Sequence, residues 1–414
     1  MTLSEDLLYR GLIKDTTFSD VAWLDEPKTF YLGVDCSSDS LQVGNLAIFL
    51  LAYRMRKAGW KTVLLVGGAT SLIGDPGGKG EERELKSKEE IDHNVAGVSK
   101  QVANLFAGED FVLVNNYDWF KDIGYLEFLR EVGKHFSMTE LVQRDFIATR
   151  MGEGGSGISY AEFSYNLIQG YDYWHLYKTE GAVLQIGGSD QWGNMLSGAP
   201  LIRKKEGAEV HAMSMPLVIN KSTGVKFGKS EGGAVWLDPG KTSVYKFYQF
   251  WLNVDDESVE EYLKIFTFLD KDEIEATMAE FNRNRGSRFA QRRLTEEVTR
   301  IVHGQDALAS VERITAVLFG DGSVRDMQPH DVEQMKAELP TATKSTQDSI
   351  SSALVETGLA SSNGEARRLI EQGGIRVNGE KLTADRAFIT DDKQAAGSAL
   401  LKRGKNQFAV IDIA

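Results

Sequence analysis

Two lysines three residues apart in a glycine-broken stretch, Lys226 and Lys229 in KFGKSEGGAVWLD (226–238), form the pair in this chain best suited to a polyphosphate. Cations on such a loop neutralise the charge that builds on phosphate oxygens in a transition state. A solvated lysine pair has the same sequence. A second glycine-rich stretch, VGGATSLIGDPGGKGEER (66–83), adds Lys79 and Arg83, with Asp75 offering a carboxylate at a strand end. Gly67 and Gly68 would let a ligand approach the backbone there, and a purely structural loop is the competing reading. The stretch lacks the four-residue spacer before Gly-Lys-Ser/Thr that marks a P-loop, so Walker-type hydrolysis is disfavoured. The third candidate, DCSSDSLQVGN (35–45), has the shape of a nucleotide-binding turn without a single basic residue. Helix N–H groups from Gly44 onward would favour an anion, though ordinary turn packing accounts for the stretch as well.

These residues need elements to hold them. A strand ending at Val34-Asp35, a loop, and a helix running from Val43-Gly44 to a stop at Gly59 make a βα unit, with Leu46, Phe49, Leu50 and Tyr53 as its buried face. A strand from Thr62 to Val66 completes a βαβ. Strand-like runs at Phe30 to Asp35, Val63 to Gly67, Phe111 to Asn115, Val183 to Gly187 and Met215 to Ile219 alternate with helical patterns, which predicts an α/β domain with a mostly parallel sheet. From about 240 to 325 the pattern is helical, and Ser258-Val-Glu-Glu261 reads as a capping box. The polar stretch 340–347 reads as a linker.

The chain has 414 residues, 42% hydrophobic and 26% charged, the composition of a folded protein with room for two or three domains. The opening MTLSEDLLYRG lacks the order of a signal peptide, and no run approaches the roughly 18 apolar residues of a membrane span, so a cytoplasmic location without membrane partners is expected. One cysteine, Cys36, excludes an intrachain disulfide and a Cys-rich zinc site. The net charge of -13 opposes nucleic-acid binding, but it is unevenly spread. From 349 onward nine Lys/Arg stand against eight Asp/Glu, so that tail is about +1 and the rest about -14.

Taken together, the order Tyr31-x-Gly33-x-Asp35, the turn at 42–45, VGGATxLIGDPxGK, EFSYxxxQxYD (162–172), LQIGGSDQWGN (184–194) and KFGKS (226–230) resembles bacterial tyrosyl-tRNA synthetases, motif by motif. The likeness runs through about 30 to 240 and continues more loosely beyond. It implies a class I aminoacyl-tRNA synthetase: a Rossmann-like catalytic domain over 1–235 with a dimer-forming insertion at about 110–150, an α-helical anticodon-binding domain over 236–330, a linker over 331–347, and a small α+β domain over 348–414 that resembles the S4 RNA-binding fold.

Carried over position by position, the resemblance gives Tyr31 and Asp172 the phenolic hydroxyl of substrate tyrosine. Tyr165, Gln169 and Asp75 take its ammonium, with Gln191 near its carboxylate. Gly33, Asp35, Ser37, Gly44, Gln185, Gly188 and Asp190 line the adenylate, and Lys79, Arg83, Lys226 and Lys229 grip the pyrophosphate. The implied partners are L-tyrosine, ATP, tRNA(Tyr) and a second copy of the chain, with Phe128, Leu129, Val132, Phe136 and Leu141 as candidate dimer contacts. Magnesium is expected with ATP; no carboxylate cluster marks a metal site of the protein's own. In the tail, Arg367, Arg368, Arg376, Lys402, Arg403 and Lys405 are candidate RNA contacts. A helix ending at Gly373-Gly374 and a tight hairpin at Asn378-Gly379 would present them. Arginines at 283, 285, 288, 292, 293 and 300 offer a second phosphate-contacting face or a solvated helix surface.

Four positions depart from the family pattern: Cys36 for proline, Ser37 for threonine, and Gln42 and Asn45 for the two histidines of HIGH. A neutral carboxamide at 42 donates a hydrogen bond but carries no charge. An RNA-binding or regulatory paralogue with weakened amino-acid activation is therefore the alternative.

Overall fold

A computed structural model describes residues 1–75, 85–142, 145–152, 155–224, 227–230 and 233–414. Lys79, Arg83 and Lys226 lie outside the described residues, and Lys229 is described in its backbone only. The chain divides into two compact units, one of residues 1–242 and 250–298, the other of 243–249 and 299–414. The helical region expected over 236–330 is thus shared between the two.

The first unit is built on a six-stranded sheet: β1 Asp15–Thr16, β2 Thr29–Asp35, β3 Lys61–Gly67, β4 Val112–Asn115, β5 Leu184–Gly188 and β6 His211–Met215, in the order β1-β6-β5-β2-β3-β4. All neighbours are parallel except β1, which runs antiparallel along β6 at the edge. The central strands read as unbroken apolar runs because both faces are covered: Phe30, Tyr31 and Leu32 on β2 and Val63 to Val66 on β3 are buried. The chain leaves β2 toward β3 and β4, then returns to add β5 and β6 on the other side. Between β2 and β5 a crevice must therefore open beyond the carboxyl ends of the strands.

Five helices position this crevice and its surroundings: α1 Val43–Lys57, α2 Gly68–Ile73, α3 Lys88–Leu105, α4 Tyr160–Glu180 and α5 Val259–Phe266. Helix α1 buries Leu46, Phe49 and Leu50 as its pattern predicts, carries Arg54, Arg56 and Lys57 in its last turn where cations suit the dipole, and is followed by Gly59 at φ +96°. A two-stranded hairpin, β7 Lys229–Ser230 with β8 Gly233–Ala234, follows β6.

Two local expectations fail in this unit. The fifth strand lies at 211–215, not 215–219: the apolar run begins only as the chain leaves the sheet, while His211 and Ser214 sit within the strand. Ser258 stands at the N-cap position but its side chain makes no capping hydrogen bond. It already has helical backbone angles, its N–H donates to Asp255 Oδ1 at 2.7 Å, and its hydroxyl accepts from Lys221 N–H at 3.3 Å.

The second unit holds a five-stranded sheet in the order β11-β10-β12-β13-β9, from β9 Thr341–Lys344, β10 Ile375–Val377, β11 Glu380–Lys381, β12 Ser398–Arg403 and β13 Gln407–Ile413. Helix α6 Asn363–Glu371 and the helix Ile350–Glu356 cover it, with Ile350, Leu354, Ile370, Leu401 and Ile411 in the core. The hairpin at 378–379 forms as expected, with Asn378 at φ +49° and Gly379 at +85°, the pair of positive values a type I′ turn requires. The expected linker over 331–347 is instead the helix Pro329–Glu338 followed by β9, which pairs in parallel with β13. Ala342 is the sole buried residue of β9, so this strand carries almost no apolar signal.

Candidate functional site

A cavity of about 400 Å³ opens where the crevice was expected, beyond the ends of β2 and β5. Its floor is the most buried part. Tyr31 on β2 is 1% exposed, Gln185 on β5, in register with it, is 3% exposed, and Asp172 on α4 is 2% exposed. The Tyr31 hydroxyl and Gln185 Oε1 have no hydrogen-bond partner among the described residues. Asp172 is held from behind: Trp119 Nε1 donates to Oδ1 at 2.9 Å and Asn116 Nδ2 to Oδ2 at 3.1 Å. Burial, with a smaller push from Asp35, raises the Asp172 carboxyl to about 8 against the pull of those two donors. Burial and the neighbouring Asp172 also lift the Tyr31 phenol well above its usual range, so it stays neutral and keeps a proton to donate. A buried hydroxyl and a buried carboxyl facing one cavity suit a ligand hydroxyl; an apolar ligand end would leave them unsatisfied at about 1–3 kcal/mol each.

Halfway up, two more carboxylates gather around Tyr165. Its hydroxyl donates to Asp35 Oδ2 at 2.8 Å, and burial together with Asp35 and Asp75 drives its phenol well above the usual value. Asp75 receives Gln191 Nε2 at 2.6 Å and Asn194 Nδ2 at 3.2 Å. With Gln169 on the same wall, this region suits an ammonium group. Gln191, which the resemblance places near the substrate carboxylate, is oriented by this bond to Asp75. Asp35, placed by the resemblance beside the nucleotide, is joined by Tyr165 to the amino-acid end. Gln185, assigned to the adenylate, lies at the floor beside Tyr31.

The lining also includes Gly33, Ser37, Gln42, Gly44, Asn45, Gly188, Asp190 and Phe227. Two N–H groups just ahead of Gly44 are used within the chain: Asn45 Oδ1 accepts the Gln42 N–H at 3.2 Å, and the Val43 N–H donates to Val235 O at 2.9 Å. Gly67 and Gly68 also serve another purpose. A Cβ at Gly67 would fall 2.6 Å from Asp35 Oδ1, and one at Gly68 would fall 2.3 Å from Asn115 Oδ1, so these glycines make room for side chains rather than for a ligand. Four carboxylates, Asp35, Asp75, Asp172 and Asp190, line the cavity; among its described lining residues there is no lysine, arginine or histidine.

Sequence reasoning missed Asn115, Asn116, Trp119 and Asn194. Asn115 and Asn116 accept the Gly68 and Ala69 N–H groups and fix the start of α2. Two asparagines at the carboxyl end of a parallel strand were the available signal.

Residues 24–320 match the family of class I tRNA synthetases for tryptophan and tyrosine, and residues 331–411 match the C-terminal domain of SYY-like tyrosine-tRNA ligases. The chain belongs to the class I tyrosine-tRNA ligases. It is 46% identical to the tyrosine-tRNA ligase of Anaeromyxobacter dehalogenans over 99% of both chains. With that of Limosilactobacillus fermentum it shares 41% over the full length of both. A C-terminally truncated mitochondrial tyrosyl-tRNA synthetase from Aspergillus nidulans superposes with a TM-score of 0.69 at 32% identity, over 77% of this chain and 94% of that one.

Within this ligase chain the six tail residues expected at RNA differ in their surroundings. Arg403 donates to Leu359 O at 2.6 Å and pairs with Glu365, and Lys402 donates to Leu318 O at 3.0 Å, so both are committed to holding their own unit together. Arg376 donates to Gly379 O across the hairpin, and Arg367 lies 3.4 Å from Asp385. Arg368 and Lys405 are exposed. Of the other arginines, Arg288 is spent on the Leu252 and Val254 carbonyls, and Arg283 and Arg293 pair with glutamates.

Proposed function

We propose that this ligase activates L-tyrosine with ATP, taken as its magnesium complex, and transfers it to the 3′ end of tRNA(Tyr) in the cytoplasm. The observation that carries the reading is the cavity floor: a neutral, unpartnered Tyr31 hydroxyl with Asp172 locked beside it. The substrate phenol donates to Asp172 and accepts from Tyr31, while Asp75, Tyr165 and Gln169 hold the ammonium. This leaves the tyrosine carboxylate directed toward the mouth, where its oxygen attacks the α-phosphorus of ATP and pyrophosphate departs. A terminal ribose hydroxyl of the tRNA then attacks the adenylate carbonyl, with AMP leaving. The chain supplies position and charge, not a nucleophile. Exposed Arg368 and Lys405 are the tail residues best disposed to meet RNA phosphates. Tyrosine-dependent pyrophosphate exchange, with phenylalanine and tryptophan as controls, tests the reading; exchange that does not depend on tyrosine refutes it.

The retained floor argues against a regulatory paralogue, but Gln42 bears on rate. Because no described lining residue is cationic, a charge-assisted hydrogen bond at position 42 adds what a neutral amide lacks, about 1 kcal/mol. Gln42→His is expected to speed exchange roughly fivefold by that measure. Equal rates would show that position 42 needs no charge.

The chain is also proposed to act as a homodimer. Of the contacts expected from the sequence, Val132 and Leu141 are buried, and Leu141, Phe128 and Phe136 pack with Ile147, Phe163 and Leu167 in a core of the chain's own. The apolar residues left exposed in the same region are Tyr125, Leu126, Met138, Met151 and Tyr160, and a second copy is their proposed cover. Light scattering should give twice the 45.9 kDa chain mass; a value near one chain refutes dimerisation.

A further inference from the structure

The cavity walls bring carboxylates, so the cations for ATP enter on neighbouring segments, and a strap of backbone fixes where the Lys229 segment enters. Phe227 N–H donates to Val218 O at 2.9 Å, Val235 N–H to Gly228 O at 3.0 Å, Val43 N–H to Val235 O at 2.9 Å, and Leu237 N–H to Leu41 O at 2.9 Å. Gly228, at φ +100°, presses on the first turn of α1 so closely that a Cβ there would lie 3.0 Å from the Gly44 nitrogen. The root of the β7–β8 hairpin and the turn bearing Gln42 are therefore one assembly.

An ion pair that the chemistry described so far does not use closes this strap. The Lys241 ammonium pairs with Asp39 Oδ1 and lies 5.0 Å from the centroid of the Trp236 ring, and Trp236 in turn bridges to Gln42. Asp39 itself is fixed against α3. Gly97 approaches so closely that a Cβ would fall 2.2 Å from Asp39 O. Gln101 accepts the Leu41 N–H at 2.7 Å and donates to Ser40 Oγ at 2.8 Å, and Asn94 donates to Cys36 O at 3.0 Å. His93 Nε2 stands 3.7 Å from the other Asp39 oxygen.

We propose that Asp39 and Lys241 form a clasp that ties the root of the lysine-bearing hairpin to α3, making both positioning residues for the nucleotide step. The inference rests on the tyrosine-tRNA ligase reading. The floor that meets the tyrosine hydroxyl is held separately, by Asn116 and Trp119 behind Asp172, so the clasp acts chiefly on ATP. With side chains 30% and 33% exposed, the pair can be replaced without opening the core.

Asp39→Asn, Lys241→Met and Lys241→Arg in the full chain, assayed by pyrophosphate exchange with ATP and tyrosine varied separately, test this. Expected are a fall of about five- to tenfold in kcat/KM for ATP in Asp39→Asn and Lys241→Met, an unchanged KM for tyrosine, recovery in Lys241→Arg, and a double variant no worse than the singles. Unchanged kcat/KM for ATP would overturn the clasp. So would equal losses for ATP and tyrosine accompanied by a lower melting temperature. If the unaltered chain shows no tyrosine-dependent exchange, the ligase reading fails, and ATP affinity by equilibrium dialysis carries the comparison: weaker binding in the variants supports the clasp and equal binding overturns it.

Discussion

Above pH 8, where the Asp172 carboxyl is ionised, replacing it by alanine is expected to lower kcat/KM for tyrosine in pyrophosphate exchange by about 10²-fold or more, since truncating one partner of a buried charged hydrogen-bond set costs about 2–5 kcal/mol. The loss is large because three groups are orphaned together: Trp119 Nε1, Asn116 Nδ2 and the substrate hydroxyl. The KM for ATP should stay near its original value. The substitution also has a pH signature. The substrate hydroxyl donates to the ionised carboxyl, so tyrosine affinity should rise as pH increases through about 8 and be flat over that range in Asp172→Asn. Fold stability moves the other way. Between the ordinary carboxyl value of 3.8 and about 8 the folded chain holds a proton that the unfolded chain has released, so the stabilisation present at low pH is lost as pH rises through that window. Tyrosine affinity independent of pH from 6 to 9 in the unaltered chain would contradict this account.

Lys226→Met and Lys229→Met are each expected to slow adenylate formation by about 10²–10³-fold, the usual loss when a group that meets charge only in the transition state is removed. The described cavity wall offers four carboxylates and no cation to compensate. Tyrosine binding, followed by intrinsic fluorescence, should be untouched, because its floor lies on β2 and α4. A variant that loses tyrosine affinity in parallel with rate would mean these lysines act on the fold rather than on the phosphates.

What could be read from the residues follows from what burial does to sequence. β2 and β3 are covered on both faces and α1 on one, so each leaves a strong apolar pattern; the crevice between β2 and β5 follows only once the strand order is seen. Motif residues gathered there because loops at the carboxyl ends of a parallel sheet converge. β9 was illegible: a strand buried at a single alanine has the composition of a linker, and its partners on β13 lie 69 residues further along the chain. The polar residues behind the site were illegible for a related reason. Asn116, Trp119 and Asn194 carry no periodicity, and their importance lies wholly in which carboxylate they reach. Ser258 shows the converse, a local pattern that did not form its capping box because the Ser258 hydroxyl is engaged by the Lys221 N–H.

The fixing of segment 36–41 against α3 has a practical consequence through Cys36. Its thiol is buried and pushed up to about 12, chiefly by burial and next by Asp35, and its backbone is held by Ser71 and Asn94. A thiolate reagent therefore finds almost nothing to attack while the segment is seated. As the sole cysteine in 414 residues, it is a built-in clock for the lifting of that segment, readable by labelling rate without any engineered probe.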